Sequence, residues 1–252
     1  MRIAILTGGG DVPGLNAAIR AVTRRAFEHG WEVYGIYDGW RGLRDGIMGP
    51  LELQDVSGIL HRGGTILGSS RTNLAQSDED MDQALSVAKE FGLDAVIAIG
   101  GEDTLGVCAA LAKRGLPAIG IPKTMDNDVV GTDYCIGFNT AVTNVADALD
   151  KLRTTAQSHH RVIVLEVMGR YSGWVATLGG LAGGADYIAI PEQPCSISDI
   201  CRHLDRRWQM GKKFSIVVVA EAAQHKDQFG HVRLDLGPGI HPGQGDPAAD
   251  RV

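Results

Sequence analysis

The chain has 252 residues, of which 44% are hydrophobic, so it is long enough to bury a large core in one or two domains. Its formal net charge is −6, which argues against a surface for nucleic acid or an anionic membrane. The four cysteines form no Cys-x-x-Cys pair, so they indicate neither a zinc site nor a disulfide framework. The sequence shows neither a signal-type opening nor a membrane-length apolar run. We therefore expect a globular protein of the reducing cytoplasm.

Short apolar runs rich in β-branched residues alternate with amphipathic stretches, a pattern typical of a mainly parallel sheet flanked by helices. The runs predict seven strands: Arg2 to Thr7, Glu32 to Tyr37, Asp94 to Ile99, Pro117 to Ile121, Val162 to Val167, Asp186 to Ile190 and Phe214 to Ala220. The amphipathic stretches predict helices near residues 14 to 29, 78 to 91, 104 to 114, 138 to 158, 172 to 182 and 196 to 210. The predicted fold class is α/β.

Polar or glycine-rich segments follow five of the predicted strands. They are Gly8 to Asp11, Gly100 to Thr104, Pro122 to Asp128, Met168 to Arg170 and Glu221. In an open parallel sheet the carboxyl ends of the strands meet at one edge, where ligands bind. We therefore predict that the five segments converge on one cleft. Ordinary strand-to-helix turns share this composition, so each segment alone is also consistent with a purely structural role.

Glu102 and Asp103 are predicted to lie in the glycine turn Gly100 to Thr104, directly after a strand. A glycine turn alone predicts a phosphate cradle built from backbone N–H groups. Two adjacent carboxylates predict in addition a bound cation and a restriction on which phosphate compound can approach.

Two further segments are candidate phosphate-binding loops. Thr7 to Asn16 lacks the spacing of a dinucleotide site or a P-loop, but its glycines allow backbone N–H groups to approach an oxyanion. Arg62 to Thr72 places small residues before Arg71, whose guanidinium can bind a phosphate bidentately. The alternative for the second segment is a surface loop.

Pro122 to Asp128 supplies a cation, a hydroxyl, two carboxylates and an amide within seven residues. Phosphoryl transfer needs a carboxylate to accept a hydroxyl proton and positive charge to stabilise the moving phosphoryl group. An Asx-type turn would explain Asp126 or Asp128 but not the lysine beside them.

Together these motifs resemble the 6-phosphofructokinases, in order and in spacing. The segments that carry the resemblance are Thr7 to Asn16, Gly64 to Arg71, Gly100 to Thr104, Pro122 to Asp128 and Glu166 to Arg170. The resemblance implies a phosphofructokinase-like α/β fold of two lobes, with mainly parallel sheets flanked by helices. It implies a donor and Mg²⁺ domain over residues 1–138 and a sugar-phosphate domain over residues 139–234.

The resemblance also implies roles for residues on the donor side. Gly9 and Arg71 would contact the phosphoryl donor, and Glu102 would hold Mg²⁺. The family's aspartate is a glutamate at this position, which keeps the charge and lengthens the side chain. Lys123, Thr124 and Asp126 are the implied catalytic residues, and Asp126 is the base that acts on the sugar hydroxyl.

On the acceptor side the implied ligand is fructose 6-phosphate. The residues implied to bind it are Thr124, Asp126, Arg161, Met168, Gly169, Arg170 and Glu221. Arg161 would reach the sugar phosphate of a neighbouring subunit. A homo-oligomer, a dimer or a tetramer, is therefore expected.

Two positions separate the branches of that family. ATP-dependent members usually have glycine where this chain has Asp103 and Lys123, whereas pyrophosphate-dependent members resemble this chain at both. A carboxylate about 4 Å from the α-phosphate of a nucleotide would repel it by on the order of 4 kcal/mol at an effective dielectric near 20. Lys123 would offset charge on pyrophosphate during transfer. The predicted enzyme is therefore a diphosphate–fructose-6-phosphate 1-phosphotransferase of glycolysis and gluconeogenesis.

Residues 235–252 depart from the family, which continues with further elements and a His/Arg segment. This Gly/Pro-rich stretch predicts a disordered tail, and we expect the second domain to be incomplete relative to the family. The alternatives are an ATP-dependent 6-phosphofructokinase and a noncatalytic binder of sugar phosphate or pyrophosphate. An NAD or lipid kinase would share the glycine-acid turns but would not account for the segments at 123–128 and 168–170.

Overall fold

The computed structural model describes residues 1–226 and 232–234, and residue contacts divide the chain into two compact units. Unit 1 comprises Met1–Thr124 and Val129–Gly137. Unit 2 comprises Met125–Asp128 and the chain from Phe138 onward. The predicted domains at 1–138 and 139–234, with their donor and sugar roles, stay a prediction. The predicted tail at 235–252 lies outside the described residues.

Unit 1 contains a six-stranded sheet with the order β3-β2-β1-β4-β5-β6. Its strands are β1 Arg2–Thr7, β2 Glu32–Ile36, β3 Met48–Pro50, β4 Ala95–Gly100, β5 Ala118–Thr124 and β6 Ile136–Gly137. All pairs are parallel except β2 with β3. The helices of this unit are α1 Leu15–Glu28, α2 Gly39–Asp45, α3 Asp78–Glu90 and α4 Glu102–Lys113, with a 3₁₀ turn at Leu74–Gln76.

The core of unit 1 explains why β1 is apolar from Ile3 to Leu6. Residues from Ile3 to Thr7 are all buried, because both faces of a parallel sheet are covered by other elements. On one face, Ala4 and Leu6 pack with Trp40 of α2, Met81 of α3 and residues of α4. The parallel pairing of β1 with β4 places the carboxyl ends of the two strands next to one another.

Unit 2 contains two three-stranded sheets, with the orders β7-β10-β8 and β12-β11-β9. Its strands are β7 Val162–Val167, β8 Tyr187–Ala189, β9 Cys195–Ser196, β10 Ser215–Ala220, β11 Gln224–Lys226 and β12 Val232–Leu234. Its helices are α5 Phe138–His159, α6 Trp174–Ala182 and α7 Ile197–Gln209. The core forms where Leu149 of α5 and Val175 of α6 pack on Ile216 and Val218 of β10.

The predicted strands and helices are confirmed, and most of their bounds agree within two residues. One strand was predicted too short. The run Pro117 to Ile121 belongs to β5, which continues to Thr124, so Lys123 and Thr124 lie in a strand rather than in the turn that was predicted. The added residues pair with Gly100 of β4 and with β6, a partner that the local pattern does not reveal.

Helix α2 was not predicted. It has only seven residues, and its glycines at 39 and 42 are poor helix formers. It is bounded by Asp38 at φ 58° and Gly46 at φ 71°. Within the described part of the chain, no helix combines the length and the apolar character that crossing a membrane would need.

Candidate functional site

The turn after β1 contacts the segment that leads to Arg71, so two of the predicted donor-side segments lie together. Gly9 has φ +77°, a conformation that favours glycine. Its N–H donates to Ser70 O at 3.0 Å, and Ser69 Oγ donates to its carbonyl at 2.5 Å. The predicted donor residue Arg71 therefore follows a segment that is bonded directly to Gly9, and the Arg71 side chain is exposed.

Lys123 is buried beside the same turn. The residue is only 3% exposed, and its Nζ donates to Gly10 O at 2.5 Å. A Cβ atom placed on Gly9 would lie 3.5 Å from this Nζ. Lys123 therefore lies beside the glycine turn for which a phosphate-binding role was predicted.

Glu102 and Asp103 lie in the first turn of α4, which corrects the predicted glycine turn. Gly101 is the residue before the helix, and both carboxylates are exposed. The prediction failed because glycines at 100 and 101 conceal a helix that starts at once after the strand. Acidic side chains at this place are stabilised by the helix dipole, so their presence alone has a structural explanation.

Thr104 is a residue of the site that the sequence did not single out. It is 5% exposed, and its side chain fills the space next to two glycines. A Cβ atom on Gly8 would lie 2.5 Å from Thr104 Oγ1, and one on Gly100 would lie 2.3 Å from Thr104 Cβ. The two glycines therefore let α4 approach the ends of β1 and β4.

Cys108, one helical turn further along α4, is not a nucleophile of this site. The residue is buried, and burial raises the pKa of its thiol to about 11. The thiol therefore stays protonated at neutral pH.

In unit 2, Glu221 holds the turn Met168 to Arg170. One oxygen of its carboxylate, Oε1, accepts the N–H of Gly169 at 3.0 Å and that of Arg170 at 2.5 Å. Arg170 has φ 51°, and its guanidinium lies 5.5 Å from the centre of the Tyr171 ring. The structure thus gives Glu221 a structural contact in addition to the sugar-binding role that was predicted.

Asp126 belongs to the same unit and is linked to this turn. Ser172 Oγ donates to the main-chain oxygen of Asp126 at 2.6 Å. Asn127, the next residue, has φ 53°. The main chain at Asp126 is therefore bonded to Ser172, two residues after Arg170. The carboxylate of Asp126 takes no part in this bond.

Arg161 is separated from the other predicted sugar-binding residues of unit 2. It precedes β7, whereas Met168 follows it, so the two are about 20 Å apart along the strand. The Arg161 side chain is exposed. The five post-strand segments are divided between the two units, so their convergence on one cleft stays a prediction.

Comparison with known proteins identifies the family. The model of the family described as phosphofructokinase matches residues 2–241. The chain belongs to the phosphofructokinase family. The predicted family and fold are thereby confirmed, and the match continues past residue 234, where the resemblance was predicted to end.

Individual phosphofructokinases that resemble this chain are named for different donors. The pyrophosphate–fructose 6-phosphate 1-phosphotransferase of Dictyoglomus thermophilum is 51% identical, over 93% of this chain and 71% of that protein. ATP-dependent 6-phosphofructokinase 3 of Streptomyces coelicolor is 48% identical, over 93% of this chain and 72% of that protein. Overall identity therefore does not select a donor.

A solved phosphofructokinase supports the fold. The structure of the Pichia pastoris phosphofructokinase in the T-state superposes with a TM-score of 0.83 at 37% identity. The superposition covers 88% of this chain but only 26% of that much longer one.

Phosphofructokinases generally use a divalent metal ion, and Glu102 was predicted to hold Mg²⁺. Within residues 1–226 and 232–234, no three His, Cys, Asp or Glu side chains lie close enough together to hold a metal ion. Mg²⁺ commonly uses one or two carboxylates together with substrate phosphates and waters. An exposed Glu102 at the start of α4 fits an ion that arrives with a phosphate donor, and this assignment stays a prediction.

Proposed function

We propose that this chain transfers a phosphoryl group from pyrophosphate to the 1-hydroxyl of fructose 6-phosphate. The products are fructose 1,6-bisphosphate and phosphate, and the reaction is reversible, as expected of a cytoplasmic enzyme of glycolysis and gluconeogenesis. The observation that supports this donor most strongly is the buried Lys123, whose ammonium lies against the glycine turn of β1.

The donor assignment depends on the charges of Asp103 and Lys123. The exposed carboxylate of Asp103, at the start of α4, would repel the α-phosphate of ATP, a group that pyrophosphate lacks. The ammonium of Lys123 supplies positive charge for the transferred group and the leaving phosphate. Gly9 and Arg71 complete the proposed contacts to pyrophosphate.

The acceptor side of the proposal uses Asp126 as the base. Its carboxylate takes the proton of the 1-hydroxyl, the hydroxyl oxygen bonds to phosphorus, and the bond to the departing phosphate breaks. Thr124 orients this hydroxyl as a catalytic and binding residue. Glu102 would hold Mg²⁺, which when bound would neutralise charge on the phosphate oxygens. The remaining proposed contacts to the sugar phosphate come from Arg161, Met168, Gly169, Arg170 and Glu221.

The proposal is tested by measuring which phosphoryl donor the protein prefers. We expect purified protein with fructose 6-phosphate and Mg²⁺ to turn over with pyrophosphate and much more slowly with ATP. The double variant Asp103→Gly, Lys123→Gly should shift the ratio of kcat/KM values toward ATP, by up to about a thousandfold. A ratio that does not move would contradict the donor assignment.

The second candidate is an ATP-dependent 6-phosphofructokinase, which the naming of the 48% identical Streptomyces coelicolor relative supports. The same parallel assay separates the two, because that enzyme would prefer ATP before any substitution. Ligand binding without turnover on either donor would instead identify a noncatalytic binder.

A further inference from the structure

The segment of residues 62–71 lies against the end of β1 through buried polar side chains. Thr7, the last residue of β1, is fully buried, with a relative exposure of 0%. A buried hydroxyl group needs hydrogen-bond partners. The hydroxyl of Thr7 has two, and both belong to this segment.

The partners form a directed chain of hydrogen bonds. Thr7 Oγ1 donates to Gly68 O at 2.6 Å. Because its proton is used there, the 2.8 Å contact with Thr65 Oγ1 is donated by Thr65. Thr65 Oγ1 in turn accepts the N–H of Leu67 at 3.2 Å. The Thr7 hydroxyl therefore bonds directly to two positions of the segment, Thr65 and Gly68, and Thr65 in turn bonds to Leu67.

A second buried side chain holds the other half of the segment. Asn16 of α1 is 1% exposed, and its Oδ1 accepts the N–H of Ile66 at 2.8 Å. Its Nδ2 donates to Arg62 O at 3.0 Å and to Gly63 O at 3.3 Å. Residues 62 to 66 are held by α1. The half nearer to Arg71 is held by the Thr7 hydroxyl, by the N–H of Asp38, which donates to Leu67 O at 2.8 Å, and by the bonds of Ser69 and Ser70 to Gly9.

The segment passes directly from this anchor to the donor turn. Ser69 and Ser70, which follow Gly68, are both hydrogen bonded to Gly9, and Arg71 comes next. We propose that Thr7 is a positioning residue for the phosphoryl donor, acting through Gly68 on the placement of Arg71 and of the Gly9 main chain. The effect on donor use rests on the function proposed above, whereas the effect on the segment does not.

The test uses Thr7→Val, which keeps the branched shape and removes the hydroxyl. The matched control is Thr23→Val in α1, because Thr23 is also 0% exposed and its Oγ1 donates at 2.8 Å to Ile19 O within its own helix. Thr7→Ser restores the hydroxyl and serves as the rescue. Each variant is measured for the KM and kcat with both substrates, for direct pyrophosphate binding by calorimetry, and for amide hydrogen exchange of residues 62–71.

We expect Thr7→Val to raise the KM and the dissociation constant for pyrophosphate about tenfold, the loss of about one hydrogen bond. The KM for fructose 6-phosphate should stay within about twofold. Exchange of the amides at 66–70 should accelerate in Thr7→Val, return toward wild type in Thr7→Ser and stay unchanged in Thr23→Val.

Each other result has a defined meaning. If Thr7→Val behaves like Thr23→Val, or raises both KM values alike, Thr7 is only structural and the inference is wrong. Faster exchange with unchanged pyrophosphate binding would also overturn it. If the wild-type protein binds pyrophosphate but does not turn over, the proposed function fails, while exchange and binding still decide on Thr7.

Discussion

Asp126 is the residue on which the proposed chemistry depends most directly. Replacing it with asparagine or serine removes the proton acceptor, and we expect kcat to fall by about 10²–10⁴-fold. The KM for fructose 6-phosphate should stay within about twofold, because the main-chain bond from Ser172 to Asp126 is unaffected. Steady-state kinetics of the two variants measure both quantities.

Ser172→Ala is the control for this prediction, since it releases the main chain of Asp126 and keeps the carboxylate. Its kcat should fall by less than about tenfold, the effect of one hydrogen bond. If kcat in Asp126→Asn stays at the wild-type value, Asp126 is not the base. If Ser172→Ala lowers kcat as much as Asp126→Asn does, catalysis depends on the position of the segment and not on the Asp126 carboxylate.

At the scale of elements, Gly8, the residue that follows β1, packs closely against Thr104 of α4. A Cβ atom on Gly8 would lie 2.5 Å from Oγ1 and 2.9 Å from Cγ2 of Thr104. We expect Gly8→Ala to lower the free energy of unfolding by about 1–3 kcal/mol, the usual cost of overpacking. In a Thr104→Ala background the remaining contact is 3.3 Å, so the same substitution should cost less.

Urea unfolding of the four proteins of this double-mutant cycle measures the coupling. Gly10→Ala is the matched control, because a Cβ atom there has no neighbour within 4 Å among the described residues. Its unfolding free energy should change by less than about 0.5 kcal/mol. Equal costs of Gly8→Ala with and without the Thr104 side chain would show that this contact does not set the packing.

The elements also show which features the sequence could predict. The strand Arg2 to Thr7 was recognisable because both faces of its middle are buried, which makes Ile3 to Leu6 continuously apolar. The extension of β5 through Lys123 depends on pairing with β6. The bonds that the Glu221 carboxylate accepts from the N–H groups of Gly169 and Arg170 join residues about fifty positions apart. The types of residue in the sequence indicated the chemistry of the candidate site. The burial of Lys123 and Thr7 could be seen only in the folded structure.

At the scale of the whole molecule, the position of Arg161 makes a prediction about assembly. It lies at the start of β7, about 20 Å along the strand from Met168, which is too far for both to bind one sugar phosphate within a single chain. If Arg161 binds substrate as proposed, it does so in the site of another subunit. The protein should then be a homo-oligomer, a dimer or a tetramer, whose sites are shared.

Subunit complementation tests this arrangement. Arg161→Ala and Asp126→Ser should each have little activity alone, because every site in either oligomer lacks one group. When the two are unfolded together and refolded in equal amounts, a mixed dimer contains one site with both groups intact. Random pairing makes half of the dimers mixed, so about a quarter of wild-type activity should return.

Sedimentation of wild-type protein establishes the oligomeric state, and variants that are refolded separately and pooled afterwards provide the baseline. Full activity of Arg161→Ala alone, or a co-refolded mixture no better than that baseline, would show that each chain completes its own site.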